Sequence, residues 1–169
     1  MPIHLILGGV RSGKSRFAEQ TALARSGPHF YLATAQAGDQ EMAERIAHHQ
    51  RYRDDRFVTI ECENHLAASL ARCNQPEATV VVDCLTLWVT QQLSQFSENW
   101  KSEKAALLAQ LETMSAHCLL VSNEVGQGIV PLGALTRQFV DETGWLHQDI
   151  AQLAQEFTLI TAGLPLKLK

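Results

Sequence analysis

The sequence predicts an α/β protein with a doubly wound, mostly parallel β-sheet and an antiparallel edge strand at its C-terminal end. Short apolar runs alternate with longer helical patterns along the 169 residues, which is the order expected when helices connect parallel strands. Residues 79–82 form an unbroken β-branched run, typical of a strand that is buried on both faces. Because no repeat and no Pro/Gly/Ser-rich linker interrupts this pattern, we expect residues 1–169 to form one domain.

The first half of the chain should contain four strands and three helices. Strands are predicted at residues 3–7, 29–33, 57–61 and 79–82. Helices are predicted at residues 13–25, about 40–53, and 64–72. Each helix is long enough to cross over a parallel sheet, so the elements form βαβ units.

The second half continues the alternation and then changes it. Helices are predicted at residues 85–93 and 100–114, followed by a strand at 118–122 and a long helix. The long helix is indicated by an apolar stripe at 3- and 4-residue steps or their sums, formed by Leu135, Phe139, Leu146, Ile150, Leu153 and Phe157. Residues 158–169 predict a strand, a tight turn at Gly163 and an antiparallel edge strand, where Pro165 is tolerated.

The composition excludes several classes of protein. With 46% hydrophobic residues the chain should not be disordered, and a net charge of −4 argues against general binding to nucleic acid. The sequence has no apolar run near the ~20 residues of a membrane span, and its N-terminus lacks the pattern of a signal peptide. We therefore expect a cytoplasmic protein. Its four cysteines form no C-x-x-C pair and are expected to be buried, reduced thiols.

The segment between the first strand and the first helix carries the strongest motif. It matches G-x-x-x-x-G-K-[ST] at every fixed position and has the required strand and helix on either side. The motif predicts a sheet of the P-loop nucleotide-binding type, with Lys14 on the outer phosphates as a catalytic residue and the Ser15 hydroxyl on Mg²⁺. The predicted nucleotide contacts in this loop are Gly8, Gly9, Val10, Arg11, Ser12, Gly13, Lys14 and Ser15.

A carboxylate should lie beside this loop, at the end of another buried strand. Asp83 directly follows the run 79–82 and is the best candidate for a second Mg²⁺ ligand, although Asp in this position could also cap the following helix. Glu61 ends the third predicted strand and is a less certain candidate.

Two further segments distinguish the chain from common P-loop proteins. It lacks the N-K-x-D motif of GTPases. The function of a small-molecule kinase would account for neither of the two segments. In the predicted helix 40–53, apolar residues form one stripe, His48 lies nearly opposite it among charged residues, and His49 lies at its edge. Taken alone, this polar side also fits an ordinary solvated basic face. A polar, glycine-bearing loop, residues 122–131, follows a buried strand at the edge where α/β sheets bind ligands.

At these residues the chain resembles the bifunctional adenosylcobinamide kinase/adenosylcobinamide-phosphate guanylyltransferase family of cobalamin biosynthesis. The pair His48-His49 together with the run Asn123-Glu124-Val125-Gly126 is the narrow part of the match. The other matching segments are the phosphate loop with Arg11-Ser12 inside it and residues 33–35, 41–42, 45–46, 61–62, 83–86, 122, 128–131 and 162–163. The chain departs from the family pattern at His147, where Asn is common, and at Asp83, where some members have Glu.

The resemblance implies that the protein phosphorylates adenosylcobinamide with ATP or GTP. It then implies transfer of GMP from GTP, through a guanylyl-histidine at His48, to give adenosylcobinamide-GDP. Mg²⁺ is the implied cofactor, and a homo-oligomer, a trimer by resemblance, is the implied assembly. The implied contacts with GTP or its Mg²⁺ are the loop residues and Ala33, Thr34, Ala35, His49, Gln50, Arg51, Tyr52, Glu61 and Asp83.

Two other functions stay open on the sequence alone. One is a kinase of another small alcohol, in which His48 would be dispensable. The other is a GTP-binding protein that performs no chemistry. The sequence also leaves open how guanine is recognised and which residues bind the corrinoid.

Overall fold

The computed structural model describes residues 3–35, 40–62 and 64–169, without the side chains of residues 42, 45, 49 and 52. Within these residues, strands and helices alternate as the sequence predicts. The strands are β1 (Ile3–Gly8), β2 (His29–Ala33), β3 (Phe57–Glu61), β4 (Thr79–Asp83), β5 (His117–Asn123), β6 (Glu156–Thr161) and β7 (Leu164–Lys167). The helices are α1 (Lys14–Leu23), α2 (Gln40–Tyr52), α3 (Leu66–Cys73), α4 (Leu85–Gln95), α5 (Trp100–Glu112) and α6 (Ala134–Leu153), with a 3₁₀ turn at Ser97–Asn99.

The seven strands of this part of the chain form one sheet in the order β3-β2-β4-β5-β1-β6-β7. The first six are parallel to their neighbours, and β7 pairs with β6 in the antiparallel direction. The predicted mostly parallel sheet with an antiparallel C-terminal edge strand is therefore confirmed. Because β1 lies between β5 and β6 rather than beside β2, the chain leaves β1 for a distant part of the sheet, which opens a crevice at the carboxyl end of β1.

Two apolar layers cover the two faces of the sheet. On one face, Ile6 and Val81 pack with Ala18 of helix α1. On the other face, alternate residues of the same strands pack with helices α3 to α6, as Leu5 and Val82 do. This alternation follows from the two-residue period of a strand, which sends neighbouring side chains to opposite faces. The sheet is thus held rigidly from both sides, and its carboxyl edge can present loops in fixed positions.

The structure corrects the predicted apolar stripe of the long helix. Helix α6 ends at Leu153 because Ala154 adopts an extended conformation with a ψ of 139°, so Phe157 lies in strand β6 and not on the helix. Leu135 is 53% exposed, so the stripe does not pack into the core at its first residue either. Phe157 fits the predicted stripe because it follows Leu153 by four residues, which matches the helical period, although it belongs to an apolar strand.

Two predictions from composition can be compared with the fold directly. The four cysteines are buried and none of them is in a disulfide bond. Among the described residues, no helix combines the length and apolar character that crossing a membrane requires.

Candidate active site

The phosphate-binding motif forms a tight loop between β1 and α1. Gly13 has a φ of 98° and Arg11 a φ of 55°, so the backbone turns through left-handed conformations at both positions. Glycine adopts such a conformation at little cost, which explains Gly13. The turn leaves the first backbone N–H groups of α1 at the carboxyl edge of the sheet, where the positive end of a helix dipole favours an anion.

The β6–β7 hairpin supports this loop from one side. The Gly163 N–H donates to the Ser12 carbonyl over 2.8 Å, which ties the hairpin turn to the loop backbone. A Cβ on Gly8 would lie 2.6 Å from the Ile160 carbonyl oxygen and 2.5 Å from Ser12 Oγ. Gly8 is therefore required for the close packing of the loop against β6, in addition to any contact with phosphate. Ser12 Oγ is buried without a hydrogen-bond partner among the described residues.

Lys14 is buried at the start of α1 and its ammonium group turns back onto the loop. Nζ donates to the Gly9 carbonyl over 2.7 Å. Burial lowers the pKa of Lys14, and the nearby carboxylate of Asp83 opposes this effect. A bound phosphate would place further negative charge beside this buried cation, so the loop is suited to a polyanion.

Asp83 ends strand β4 and faces the phosphate loop. The Tyr31 hydroxyl donates to Asp83 Oδ2 over 2.6 Å, and the guanidinium of Arg53 lies 3.6 Å from the centre of the Tyr31 ring. The residue that precedes α4 as its N-cap is Cys84, and it makes no side-chain cap. The alternative role of Asp83 as a helix cap is therefore wrong.

An open cleft of about 930 Å³ extends from the phosphate loop to helix α2. Its size is in the upper part of the range of small-molecule sites. The lining includes three cations, three carboxylates and His48. The lining residues are Val10, Arg11, Ser12, Gly13, Lys14, Ser15, Arg16, Glu41, Glu44, His48, Asp83, Cys84, Asn123 and Gly163.

Helix α2 places His48 in the same cleft as Lys14 and Ser15. The predicted apolar stripe of this helix does not enter the core, because Ala43 and Ala47 are exposed and Ile46 is half-buried. The side chains of His49 and Tyr52 lie outside the described part of the structure, so the choice between the two histidines stays a prediction.

The protein shares its sequence pattern with a known family over almost its whole length. The model of the family described as cobinamide kinase / cobinamide phosphate guanyltransferase matches residues 4–168. The chain belongs to this family. Among curated relatives, the bifunctional adenosylcobalamin biosynthesis protein CobP of Pseudomonas aeruginosa is 48% identical over 166 residues, covering 98% of this chain and 96% of that protein. The protein of the same description named CobU in Escherichia coli is 36% identical over 179 residues and covers 98% of both chains.

The fold of this cobinamide kinase / cobinamide phosphate guanyltransferase family member also occurs in a distant protein of known structure. The crystal structure of the flagellar accessory protein FlaH from Methanocaldococcus jannaschii matches with a TM-score of 0.54 and 12% identity. The match covers 99% of this chain and 78% of the FlaH chain. At this identity the similarity supports the α/β P-loop fold and nothing about chemistry.

Several predicted nucleotide contacts of this family member lie outside the cleft lining. The Thr34 hydroxyl donates to the Cys84 carbonyl over 2.7 Å and accepts from the Cys84 N–H over 2.8 Å, so it joins the ends of β2 and β4. Ala33 pairs in register with both Asp83 and Glu61, which places Glu61 two strands, roughly 10 Å, from Asp83. The other predicted contacts outside the lining lie in the phosphate loop, at the carboxyl edge or on α2, and are Gly8, Gly9, Ala35, Gln50 and Arg51.

The cleft also contains residues that the sequence did not single out as site residues. Asn123 ends β5 directly beside Gly8 in the β1–β5 register, a position that only the strand order reveals. Glu41 and Glu44 of α2 and Arg16 of α1 line the cleft because each lies on the side of its helix that faces the cleft. The periodicity of α2 does place Glu44 near the face of His48, and this signal could have identified it.

The cleft offers oxygen ligands for one Mg²⁺ ion. The Ser15 hydroxyl and the Asp83 carboxylate both line it, and the hydrogen bond from Tyr31 leaves Asp83 further lone pairs. Across residues 3–35, 40–62 and 64–169 no cluster of three or more His, Cys, Asp or Glu residues could hold a metal. Two protein oxygens that depend on phosphates for the remaining ligands fit Mg²⁺, which usually keeps several waters and binds with substrate phosphates.

Proposed function

We propose that this protein phosphorylates the hydroxyl of adenosylcobinamide with ATP or GTP and then transfers GMP from GTP onto the new phosphate. The products of the second reaction are adenosylcobinamide-GDP and pyrophosphate. The observation that carries the proposal is that His48 lines one cleft with Lys14 and Ser15 in a member of this family. One cleft would therefore hold both the triphosphate and a nucleophile. We further propose that residues 1–169 act as one domain.

In the first reaction the cleft positions a triphosphate for attack by an alcohol. The acceptor oxygen forms a bond to the γ-phosphorus while the bond to the β–γ bridging oxygen breaks, and the hydroxyl proton is lost to solvent. Lys14 leaves the Gly9 carbonyl and places its charge on the outer phosphate oxygens, where negative charge accumulates. Backbone N–H groups of the loop and the buried Ser12 hydroxyl donate to the other oxygens.

In the second reaction a nitrogen of His48 attacks the α-phosphorus of GTP. A P–N bond forms and the bond to pyrophosphate breaks. A phosphate oxygen of adenosylcobinamide phosphate then attacks the same phosphorus and releases the imidazole. The cations Arg11 and Arg16 line the cleft and can offset charge on the phosphates during both displacements.

Mg²⁺ would be held by Ser15 and Asp83 together with the nucleotide. When bound, the ion neutralises phosphate charge and orients the outer phosphates. The residues of the chain act around it, since Tyr31, which does not line the cleft, holds the carboxylate of Asp83 by a hydrogen bond.

The decisive experiment for this function uses GTP labelled at its α-phosphate. Incubation with Mg²⁺ and without acceptor should leave label on the protein, as a phosphoramidate that is labile to acid and stable to base. In His48→Asn the label should be lost, while phosphorylation of adenosylcobinamide should stay within about tenfold of wild type, because that step uses the loop and not the imidazole.

The matched control is His65→Asn, which changes an exposed histidine that is bonded to Glu103 and lies outside the cleft lining. It should be labelled like wild type. Label on His49 would overturn the assignment to His48. A protein that phosphorylates other alcohols well but not adenosylcobinamide is a different kinase, and one that binds GTP without any turnover is only a binding protein.

We also infer that the protein works in the cytoplasm and as a homo-oligomer, with a trimer expected by resemblance. Support for self-association comes from the segment after β5, where large apolar side chains face solvent. Ile129 is 97% exposed and Leu132 98% exposed. Single exposed apolar residues are common, but a contiguous group of this kind usually marks an interaction surface.

A further inference from the structure

A second cavity of about 320 Å³ lies between helix α6, strands β1 and β6, and residues 124–126. It is separate from the cleft, since the two share no lining residue. Its volume falls at the lower end of the range for small-ligand pockets. The cavity therefore has room for a small molecule, or for one arm of a larger one.

The lining of the cavity is mostly apolar, with a few polar groups. Leu7, Val140 and Phe157 contribute apolar walls, while Glu124, His147 and Gln148 contribute polar atoms. His147 is buried, which lowers its pKa to about 4, so its imidazole is neutral near pH 7. Glu124 is then the one charged group, and it can only accept hydrogen bonds. Such a site disfavours phosphate and favours an uncharged ligand with an N–H donor.

The cavity is joined to the cleft through the last residues of β5. Glu124 lines the cavity and the preceding residue, Asn123, lines the cleft, at a Cα separation of ~3.8 Å. The Glu124 N–H donates to the carbonyl of Gly8 in the phosphate loop over 3.0 Å. The end of β5 therefore borders both the cavity and the cleft, and a ligand in the cavity would reach a phosphate at the loop by extending past this strand end.

A chain of buried hydrogen bonds strengthens this connection. His147 Nε2 and Ser122 Oγ are 2.8 Å apart, and Ser122 Oγ and Thr86 Oγ1 are 3.1 Å apart. The Asn123 N–H donates to Thr86 Oγ1 over 2.7 Å. The imidazole in the cavity wall and the backbone of Asn123 are thus held in one rigid network, which fixes the position of the cavity relative to the cleft.

We propose that this cavity binds the amide-bearing arm of the acceptor, the part that carries the hydroxyl to be phosphorylated. The inference rests on the proposed function, in which the acceptor is a corrinoid with an aminopropanol arm in amide linkage. The apolar walls would cover the methylene and methyl groups, Glu124 would accept the amide N–H, and Gln148 would donate to the amide carbonyl. The corrin ring is too large for 320 Å³ and would stay outside, with the hydroxyl directed past Asn123.

The test fills the cavity without touching the cleft. Gly144 of α6 lines the cavity, and a Cβ built on it would have nothing within 4 Å. In Gly144→Leu the new side chain enters this space, and a helix interior tolerates leucine better than glycine. The KM for adenosylcobinamide, and its Kd measured by equilibrium dialysis, should rise about tenfold or more, since one methylene in an apolar pocket already changes discrimination by that much. The KM for GTP and labelling by α-labelled GTP should stay unchanged.

Gln152→Leu is the matched control, because it places the same side chain on an exposed position of α6 outside the cavity and should change neither KM. If Gly144→Leu does not fold, Gly144→Ala and Glu124→Gln should each raise the KM for adenosylcobinamide about threefold or more. An unchanged acceptor KM in the folded variants, with normal wild-type turnover, overturns the cavity assignment and leaves the proposed function intact. A wild-type protein that binds GTP but does not phosphorylate adenosylcobinamide overturns both.

Discussion

Asp83 shows how one side chain connects three parts of the site. Its carboxylate opposes the effect of burial on the pKa of Lys14, accepts a hydrogen bond from the Tyr31 hydroxyl, and lines the cleft with Ser15. In turn, burial and the Asp83 charge together raise the pKa of Tyr31, so its hydroxyl stays a donor. The position of the carboxylate is thus fixed from the core side before any nucleotide binds.

Because of this arrangement, the effect of Asp83 on the binding of Mg²⁺ can be measured separately from its effect on stability. In Asp83→Asn the amide oxygen can still accept the bond from Tyr31, so the free energy of unfolding should change by no more than ~1 kcal/mol. Turnover at saturating GTP should fall roughly 100-fold, and more Mg²⁺ should be needed for half-maximal rate, because a charged ligand is lost. Initial rates across a Mg²⁺ titration, with urea unfolding in parallel, measure both effects.

Tyr31→Phe is the converse control for that substitution, because it removes the hydrogen bond to Asp83 and keeps the carboxylate. Its dependence on Mg²⁺ should stay within a few-fold of wild type. Equal dependence on Mg²⁺ in Asp83→Asn and wild type would mean that Asp83 has only a structural role.

The residues of the phosphate loop could be predicted from sequence because every such loop needs the same residue types at the same spacing. Thr34 is different. The family resemblance implies a contact with nucleotide, but its hydroxyl donates to and accepts from the backbone of Cys84, 50 residues away in the chain. No local pattern records such a long-range bond, so the type of residue could be foreseen and its partner could not.

At the scale of elements, strands were predicted better than the ends and faces of helices. The bounds predicted for β2 and β3 match the structure residue for residue, and turn-forming residues precede each apolar run, at 27–28 and 54–55. The predicted apolar stripe of helix α6 extends into strand β6 as far as Phe157, because the helical spacing of apolar residues continues across their junction. The stripe on α2 was read correctly as a pattern, but Ala43 and Ala47 are exposed, so apolar spacing alone did not identify a packed face.

The β6–β7 hairpin offers a prediction at this scale. Its two turn residues, Ala162 and Gly163, have φ values of 51° and 78°, as in the tight turns that favour Asn-Gly. Ala162→Asn should raise the free energy of unfolding by about 0.5–1 kcal/mol, because asparagine adopts the left-handed conformation at lower cost than alanine. The shift in the midpoint of urea unfolding measures it.

Gly163→Ala serves as the opposing control for the turn. A Cβ there has nothing within 4 Å, so its expected cost of about 1 kcal/mol is conformational and not steric. If Ala162→Asn were neutral while Gly163→Ala was destabilising, the strain at residue 162 would be smaller than its φ implies.

At the scale of the whole molecule, the order of the strands determines the site. The alternation of strands and helices predicts a parallel sheet, but it does not say which strands are neighbours. Only the order β4-β5-β1 brings Asn123 beside Gly8 and sets Asp83 one strand further away. This is why Asn123 could be noticed in a polar loop and still not be assigned to the nucleotide cleft.

Burial of histidines by the assembled sheet predicts how the stability of the whole protein depends on pH. His117 opens strand β5, and burial, together with the charge of Arg25, lowers its pKa to about 4 despite the opposing charge of Glu156. His147 has a similarly lowered pKa of about 4. In the unfolded chain both should titrate near the usual ~6.5, so between pH 6.5 and 4 the unfolded state binds more protons than the folded state.

The contribution of these two histidines to the free energy of unfolding should therefore be constant above pH 6.5. It should fall as the pH is lowered from 6.5 towards 4. The slope should approach ~1.4 kcal/mol per pH unit for each histidine. In His117→Gln the slope measured by urea unfolding at pH 7, 6 and 5 should be shallower than in wild type by about 1 kcal/mol per unit. His65→Gln is the matched control, because it makes the same substitution at an exposed histidine. Identical slopes in His117→Gln and wild type would show that folding does not lower the pKa of His117, which the burial of its Nδ1 without a hydrogen-bond partner among the described residues argues against.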